Sequence, residues 1–199
     1  DVSAVNLAKS SIRGRLNARN PRDLLRDRKD PVKRAAVASV LRPGTGGPEV
    51  LLIRRAEHPR DPWSGHMAFP GGRQDPEDAD LLATAQRETL EEVGLDLGGA
   101  DLLGRGDDLE AIARGKRAGL VVRPFVFWAP AAETGPFDAT EVAEALWAPI
   151  APLLRGERDT TFPYEHEGRR LTFPAYDVEG RIVWGLTHRM LTALFARLR

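Results

Sequence analysis

Between residues 35 and 53 apolar positions come in two short runs, 35–41 and 50–53, split by Pro43-Gly44-Thr45-Gly46-Gly47-Pro48. Runs of this length bounded by Gly and Pro predict two strands joined as a β-hairpin. A loop at 58–64 follows, then a short strand at 67–69 feeding Pro70-Gly71-Gly72. From residue 79 to 93 the period lengthens. Leu82, Ala85, Thr89 and Val93 recur at i, i+3, i+7 and i+11, which predicts a helix with one apolar face. Asp78 is placed to cap its start and Gly94 to close its end in the left-handed conformation. Residues 120–128 and 141–147 read as strands, 162–183 as a second hairpin turning at Gly168 and Gly180, and Leu186, Met190, Leu194 and Leu198 mark a terminal amphipathic helix. At the other end, Val5, Ile12 and Leu16 alternate with Lys9, Arg13, Arg15 and Arg19 over residues 3–19, a short amphipathic helix. Residues 20–30, with Pro21 and many charges, read as a linker. The chain divides into an N-terminal helix and linker (1–30) and a main domain (31–199). The order strands, helix, strands, helix predicts an α/β fold with a mixed sheet between helices.

Composition narrows the partners. Among 199 residues Lys plus Arg and Asp plus Glu both number 29, so net charge is zero. A protein that grips a nucleic acid polymer carries a basic excess; a small anionic ligand needs only a local patch. The absence of cysteine excludes a disulfide scaffold and any thiolate site. No apolar run reaches the roughly 20 residues of a membrane span, and the first residues lack a signal peptide's basic start and apolar core. A cytoplasmic setting without membrane contact is the expectation, and a homodimer is left open.

The densest chemistry lies in the central helix. Glu88, Glu91 and Glu92 fall within about one turn, on an arc of roughly 100°. Like charges so close destabilise a bare helix, so their retention points to a cation held there. Oxygen-only ligands select a hard ion, Mg²⁺ or Mn²⁺, and such ions commonly hold phosphate oxygens as well. Arg87, one turn before Glu91, is placed to orient it.

The run Gly71-Gly72 … Arg87-Glu88-Thr89-Leu90-Glu91-Glu92-Val93-Gly94-Leu95 resembles the Nudix box, whose pattern is Gly, five residues, Glu, seven residues, then Arg-Glu-apolar-x-Glu-Glu-x-Gly-apolar. Counting back from Arg87, the family Glu falls on Ala79 and the family Gly on Arg73. The loop is one residue longer, and the first acid comes from Asp75, Glu77 or Asp78. The resemblance implies an α/β/α sandwich and a Mg²⁺-dependent pyrophosphohydrolase, with Mn²⁺ as a substitute. It implies metal ligation by Glu88, Glu91 and Glu92, with the backbone of Gly72 beside the ion. It also implies a general base from a later loop; Glu141 is the candidate, with Glu144 and Glu133 as rivals.

The flanking segments Leu51-Leu52-Ile53-Arg54-Arg55, Gly65-His66-Met67-Ala68-Phe69-Pro70-Gly71-Gly72 and Val183-Trp184-Gly185-Leu186-Thr187 resemble a narrower branch, the coenzyme A pyrophosphatases. That implies cleavage of coenzyme A to 3′,5′-ADP and 4′-phosphopantetheine. Arg54, Arg55, Arg60 and His66 are the candidate substrate-binding residues, since arginine forks suit phosphate oxygens. Two other readings stand beside this one: a Nudix hydrolase of ADP-ribose or a damaged nucleotide, and a silent module that only binds a nucleotide. Trp128, Trp147 and Trp184 read as core residues, and Trp63 as a residue able to stack on a base.

Overall fold

The computed structural model describes residues 5–113 and 116–199. Helix α1 spans Lys9–Asn17, shorter than the predicted 3–19, and residues 3 and 4 of that prediction lie outside the described residues. The two apolar runs become β1 (Lys33–Gly44) and β2 (Gly47–Arg55), an antiparallel hairpin with Leu41 opposite Val50 and Gly44 opposite Gly47. Next come β3 (Met67–Ala68), β4 (Gly71–Arg73) and the long helix α2 (Leu81–Val93). They are followed by β5 (Asp101–Arg105), β6 (Leu109–Ala113), β7 (Lys116–Trp128), β8 (Val142–Pro149) and α3 (Ile150–Leu154). The chain ends in β9 (Asp159–His166), β10 (Arg169–Val178), β11 (Arg181–Val183) and α4 (Gly185–Leu198).

The main sheet runs β3-β2-β1-β7-β5, with β4 beside β1, β6 beside β7 and β8 beside β2. It is mixed. β1 and β7 are parallel, from Lys33 opposite Leu120 to Leu41 opposite Trp128, while the other pairs are antiparallel. A parallel pair needs a long crossover, and the segment carrying α2 supplies it. Successive residues of the central strands enter different cores. Val37, Val50, Leu52 and Val122 face α1 and α4, whereas Ala36, Ala38, Leu51, Ile53 and Phe127 face α2. Burial on both faces is why these strands read as unbroken apolar runs. The expected α/β/α sandwich is the fold.

Three differences from the sequence pattern have physical causes. Strands β5 and β6 were not anticipated, because Gly104, Gly106, Asp107 and Asp108 break the apolar pattern there. The second hairpin is one pair of a three-stranded sheet, β11-β10-β9, whose turns place Gly168 and Gly180 at φ 73° and 82°. Gly71 and Gly72 continue beyond the expected strand at 67–69 as a separate short strand, β4, paired with β1, with Gly72 opposite Ala36.

The N-terminal segment is fastened to the body by apolar and ionic contacts. Ile12 and Leu16 are fully buried against the core that α4 covers. In the stretch after α1, the backbone N–H of Leu24 donates to Asp108 at 3.0 Å and that of Arg22 to Asp107 at 2.7 Å. The Asp108 carboxylate, with no exposed surface, also accepts from Arg123 at 2.8 Å through two nitrogens and from Arg105 at 3.0 Å. Asp23 completes the group, 2.9 Å from Arg123. Removing one partner of a buried ionic group leaves uncompensated charge. Asp108→Ala should therefore destabilise the fold by about 3–5 kcal/mol, measured by chemical denaturation. A loss below about 1 kcal/mol would show that this network is not what fastens the segment.

Candidate active site

Helix α2 is capped by Asp80, not Asp78: the Asp80 carboxylate accepts from the Ala83 N–H at 2.8 Å, and the helix begins at Leu81. Gly94 closes it at φ 66°, as expected. Asp78 is freed for another task. Its carboxylate accepts from Arg87 Nε and a terminal nitrogen, each at 2.9 Å, from Thr84 Oγ1 at 2.8 Å and from the Asp75 N–H at 2.9 Å. The Arg87 fork is the main reason the Asp78 carboxyl is held far below its usual range, and it outweighs the opposing effect of burial. Of the three acids that could serve the lengthened loop, Asp78 is the one hydrogen-bonded to Arg87, with the exposed Asp75 carboxylate 3.6 Å from the same guanidinium. Asp78 holds the arginine of the box.

Arg87 is a hub. Besides Asp78, its guanidinium donates to Glu88 and Glu91 at 3.0 Å each and to the Arg73 carbonyl at 3.2 Å. This fastens the loop after β4 to the helix and aims Glu88 inward, its side chain 16% exposed. The i,i+4 partner Glu91 is 55% exposed and does not line the cleft. Glu92 turns the other way. It lies on the buried face with Leu81, Thr84, Ala85, Thr89 and Val93, only 4% exposed, so the acidic and apolar faces of α2 overlap at this residue. The Gly71 N–H donates to its Oε2 at 2.8 Å. Burial, reinforced by the nearby charges of Glu88 and Glu141, pushes the Glu92 carboxyl up to about 8; the Gly71 N–H and Arg55 oppose the rise. Burial also raises Glu88.

Glu88 and Glu92 line a cavity of about 530 Å³ between the main sheet, the 56–66 loop and the start of α4. Gly72 abuts the acids so closely that a Cβ there would run into the Glu88 carboxylate. Arg55, Arg60 and His66 also line this cavity, and Met67, Phe69 and Leu186 supply apolar surface. Arg55 is braced by Asp61, whose Oδ2 accepts at 2.7 and 3.1 Å. Asp61 also accepts from the Trp63 N–H at 3.0 Å, so one carboxylate shapes the loop and fixes the arginine. Asp61 was not singled out from sequence; an Asp at the start of a Pro-Trp turn was the available signal. Burial lowers the pKa of His66.

Arg54 is not brought to the cleft. Its Nε lies 3.6 Å from Glu144, beside the pair that Glu144 makes with Arg181. Successive strand residues point to opposite faces, so Arg54 and Arg55 part company there. Glu144 is thereby occupied, and Glu133 lies across the molecule 3.5 Å from Arg42. Glu141 does line the cavity, just before β8, and its carbonyl accepts from the Ala56 N–H at 2.9 Å. Trp184, read as a core residue, is a cavity wall.

Among the described residues no three His, Asp or Glu side chains close into one cation cage. The donor set is open and oxygen-only: two carboxylates repelling each other at the base of a cleft, with side-chain-free Gly72 against one of them. A hard divalent ion fits such a set, leaving coordination positions for phosphate oxygens and water. A buried acid held protonated for want of a counter-charge is the feature such an ion would relieve.

Comparison with known proteins agrees with this geometry. The NUDIX domain model matches residues 32–166. A protein of Schizosaccharomyces pombe is 38% identical over 138 residues, which is 67% of this chain and 42% of that one. The Nudix hydrolase NudL of Yersinia enterocolitica is 34% identical over 149 residues, covering 74% of this chain and 72% of that one. The chain thus spans less than half of the yeast relative and about seven-tenths of the bacterial one. Among solved structures, a NUDIX hydrolase from Alicyclobacillus acidocaldarius superposes with a TM-score of 0.55 at 23% identity, over 85% of this chain and 93% of that one. A MutT/nudix family protein from Enterococcus faecalis gives 0.56 at 16% identity, over 88% and 65%. The chain belongs to the Nudix family.

The buried acid makes stability depend on pH. Between its ordinary value of 4.5 and about 8, Glu92 holds a proton in the folded chain that the unfolded chain has lost. Stability of the metal-free protein should therefore fall as pH rises through that window, by up to about 1.4 kcal/mol per unit. Glu92→Gln should flatten the slope in denaturation curves taken from pH 5 to pH 8. An equal slope in the variant would place the titration elsewhere.

Proposed function

We propose that the chain is a divalent-cation-dependent pyrophosphohydrolase that cleaves coenzyme A or its derivatives into 3′,5′-ADP and 4′-phosphopantetheine. The observation that carries the reading is the pairing of Glu88 and Glu92 in a cleft that Arg55, Arg60 and His66 also line. Coenzyme A is supported by the convergence of three distant segments that resemble the coenzyme A branch. Arg55, the 66–72 strand pair and Trp184–Thr187 border one cavity, and the Thr187 hydroxyl donates to the Met67 carbonyl at 2.8 Å.

Glu88 and Glu92 would hold the cation, Mg²⁺ or Mn²⁺, beside the Gly72 backbone. When bound, it supplies charge neutralisation for the diphosphate and acidification of a water. Arg87 keeps Glu88 in place and pairs with Glu91 at the helix surface, outside the cleft lining. Arg55, fixed by Asp61, takes a phosphate oxygen through its fork, with Arg60 and His66 alongside. Arg54, held by Glu144, shapes the β2–β8 edge and leaves substrate contact to Arg55. Glu141 accepts the proton of the attacking water. The new P–O bond forms as the bridging P–O bond breaks, and the bridging oxygen leaves on the other phosphate.

Incubation with coenzyme A and Mg²⁺, followed by product analysis, should yield 3′,5′-ADP and 4′-phosphopantetheine. Glu92→Gln should lose at least about a hundredfold in turnover at saturating Mg²⁺, since a metal-supplied stabilisation of several kcal/mol is at stake. ADP-ribose should have a much lower kcat/KM. Equal or better cleavage of ADP-ribose would discard the coenzyme A assignment, and near wild-type turnover by the variant would discard the site.

A further inference from the structure

The cleft does not end at Trp184. On the far side of that ring lies a second cavity of about 540 Å³, walled by the β9–β10 hairpin and the start of α4, with Trp184 and Leu186 common to both spaces. A file of rings joins them. His66, inside the first cavity, lies 5.0 Å from Trp184; Trp184 lies 5.3 Å from Tyr164; and Tyr164 stacks at 6.0 Å, tilted only 22°, with His166.

The hairpin face that lines this space is graded. Alternation along β9 puts Phe162, Tyr164 and His166 on one side, and their cross-strand partners are Phe173, Leu171 and Arg169. From the root outward the pairs run aromatic–aromatic, aromatic–aliphatic, then His166–Arg169. Leu171, 47% exposed, and Ile112, 49% exposed, leave apolar surface open to the groove. The charge at the outer end is positive. Among the described residues, neither Arg169 nor Arg189, which also borders the groove, has a carboxylate partner within salt-bridge distance. Arg189 is steadied by donating to the Glu110 carbonyl at 3.0 Å. The one acid on the lining, Glu167, is directed at His166, 3.7 Å away.

A half-open floor of aromatic rings, Tyr164 and Trp184 tilted by 38°, followed by guanidinium groups without a carboxylate partner among the described residues, is complementary to a planar base carrying a phosphate on its sugar. The Trp184 partition leads there directly from the diphosphate site. We propose that the groove between the β9–β10 hairpin and α4 is the terminal subsite for the phosphorylated nucleoside end of the substrate, with the base on the Tyr164–Trp184 surface and the sugar phosphate at Arg169. The proposal rests on the pyrophosphohydrolase reading. It places recognition of the extra phosphate at Arg169, apart from Arg55 and Arg60, which serve the diphosphate.

The test is calorimetric titration of the metal-free protein with 3′,5′-ADP, alongside steady-state kinetics on coenzyme A and 3′-dephospho-coenzyme A. Wild type should bind 3′,5′-ADP. Arg169→Ala, at an exposed hairpin end where folding is not at stake, should weaken that binding by about tenfold, the worth of one charge-assisted contact. It should also bring the kcat/KM ratio of coenzyme A to its dephospho form close to one, with the loss carried by KM. Tyr164→Leu, which keeps apolar bulk, should weaken both nucleotides alike. Absence of 3′,5′-ADP binding in wild type, or unchanged binding in both variants, overturns the subsite. The two failures are separable. Variants that lose nucleotide binding in an enzyme that does not cleave coenzyme A would sink the activity and support the groove. Cleavage of coenzyme A with unaltered variants would do the reverse.

Discussion

A carboxylic acid with almost no exposed surface sits on the packed face of the central helix, and the rest of the site is arranged around that burial. Glu92 has one clear hydrogen bond, from the Gly71 N–H, and has the Glu88 and Glu141 carboxylates near it. Removing a charged group from water without a partner is costly, so the lone protein answers by keeping the proton on. Nearly everything else in the cleft wall serves to hold that unfavourable arrangement. Strand β4, which supplies the Gly71 N–H, is pinned between β1 and α2; a Cβ at Gly71, where φ is 156°, would collide with the Ala36 carbonyl. The close approach that brings the Gly71 N–H to Glu92 is available only without a side chain at 71, and a Cβ at 72 would displace the Glu88 carboxylate.

Arg87 carries the complementary load. One guanidinium joins the loop after β4 to the helix through Asp78, Glu88, Glu91 and the Arg73 carbonyl. A planar fork with five donors can do this; a lysine could not. The like-charge repulsion that three adjacent glutamates would impose on the helix is divided accordingly. Glu91 is paired at the surface, Glu88 is half-neutralised and aimed inward, and Glu92 is left without an ion-pair partner among the described residues.

Local pattern revealed the parts of this protein that sequence neighbours determine. The hairpin, the helix period, the left-handed Gly94 and the spacing of the acids all follow from residues a few positions apart, and they brought the family resemblance with them. What pattern could not reveal depends on residues distant in the chain. Nothing near Asp78 distinguishes a cap from a partner of Arg87; the choice is made when Asp80 takes the cap. Nothing in Arg54-Arg55 tells which arginine enters the cleft, because that is set by the pairing of β2 with β8 and by Asp61 across the loop. Trp184 passed for a core residue since its role as a partition appears only once the β9–β10 hairpin folds over α4. The edge strands β5 and β6 were hidden by glycines and by an aspartate whose partners lie some 15 and 84 residues away.

The most direct test of the account is the proton count on cation binding. With the Glu92 carboxyl pushed up to about 8, the metal-free protein at pH 7 carries that proton, and a divalent ion held there as proposed would displace it. Mn²⁺ titrated calorimetrically at pH 7, in buffers of different ionisation enthalpy, should release close to one proton per ion bound. The release should vanish, and the affinity fall, in Glu92→Gln. Tight Mn²⁺ binding without proton release, unchanged by the substitution, would contradict the central claim that this buried acid is the seat of the cation.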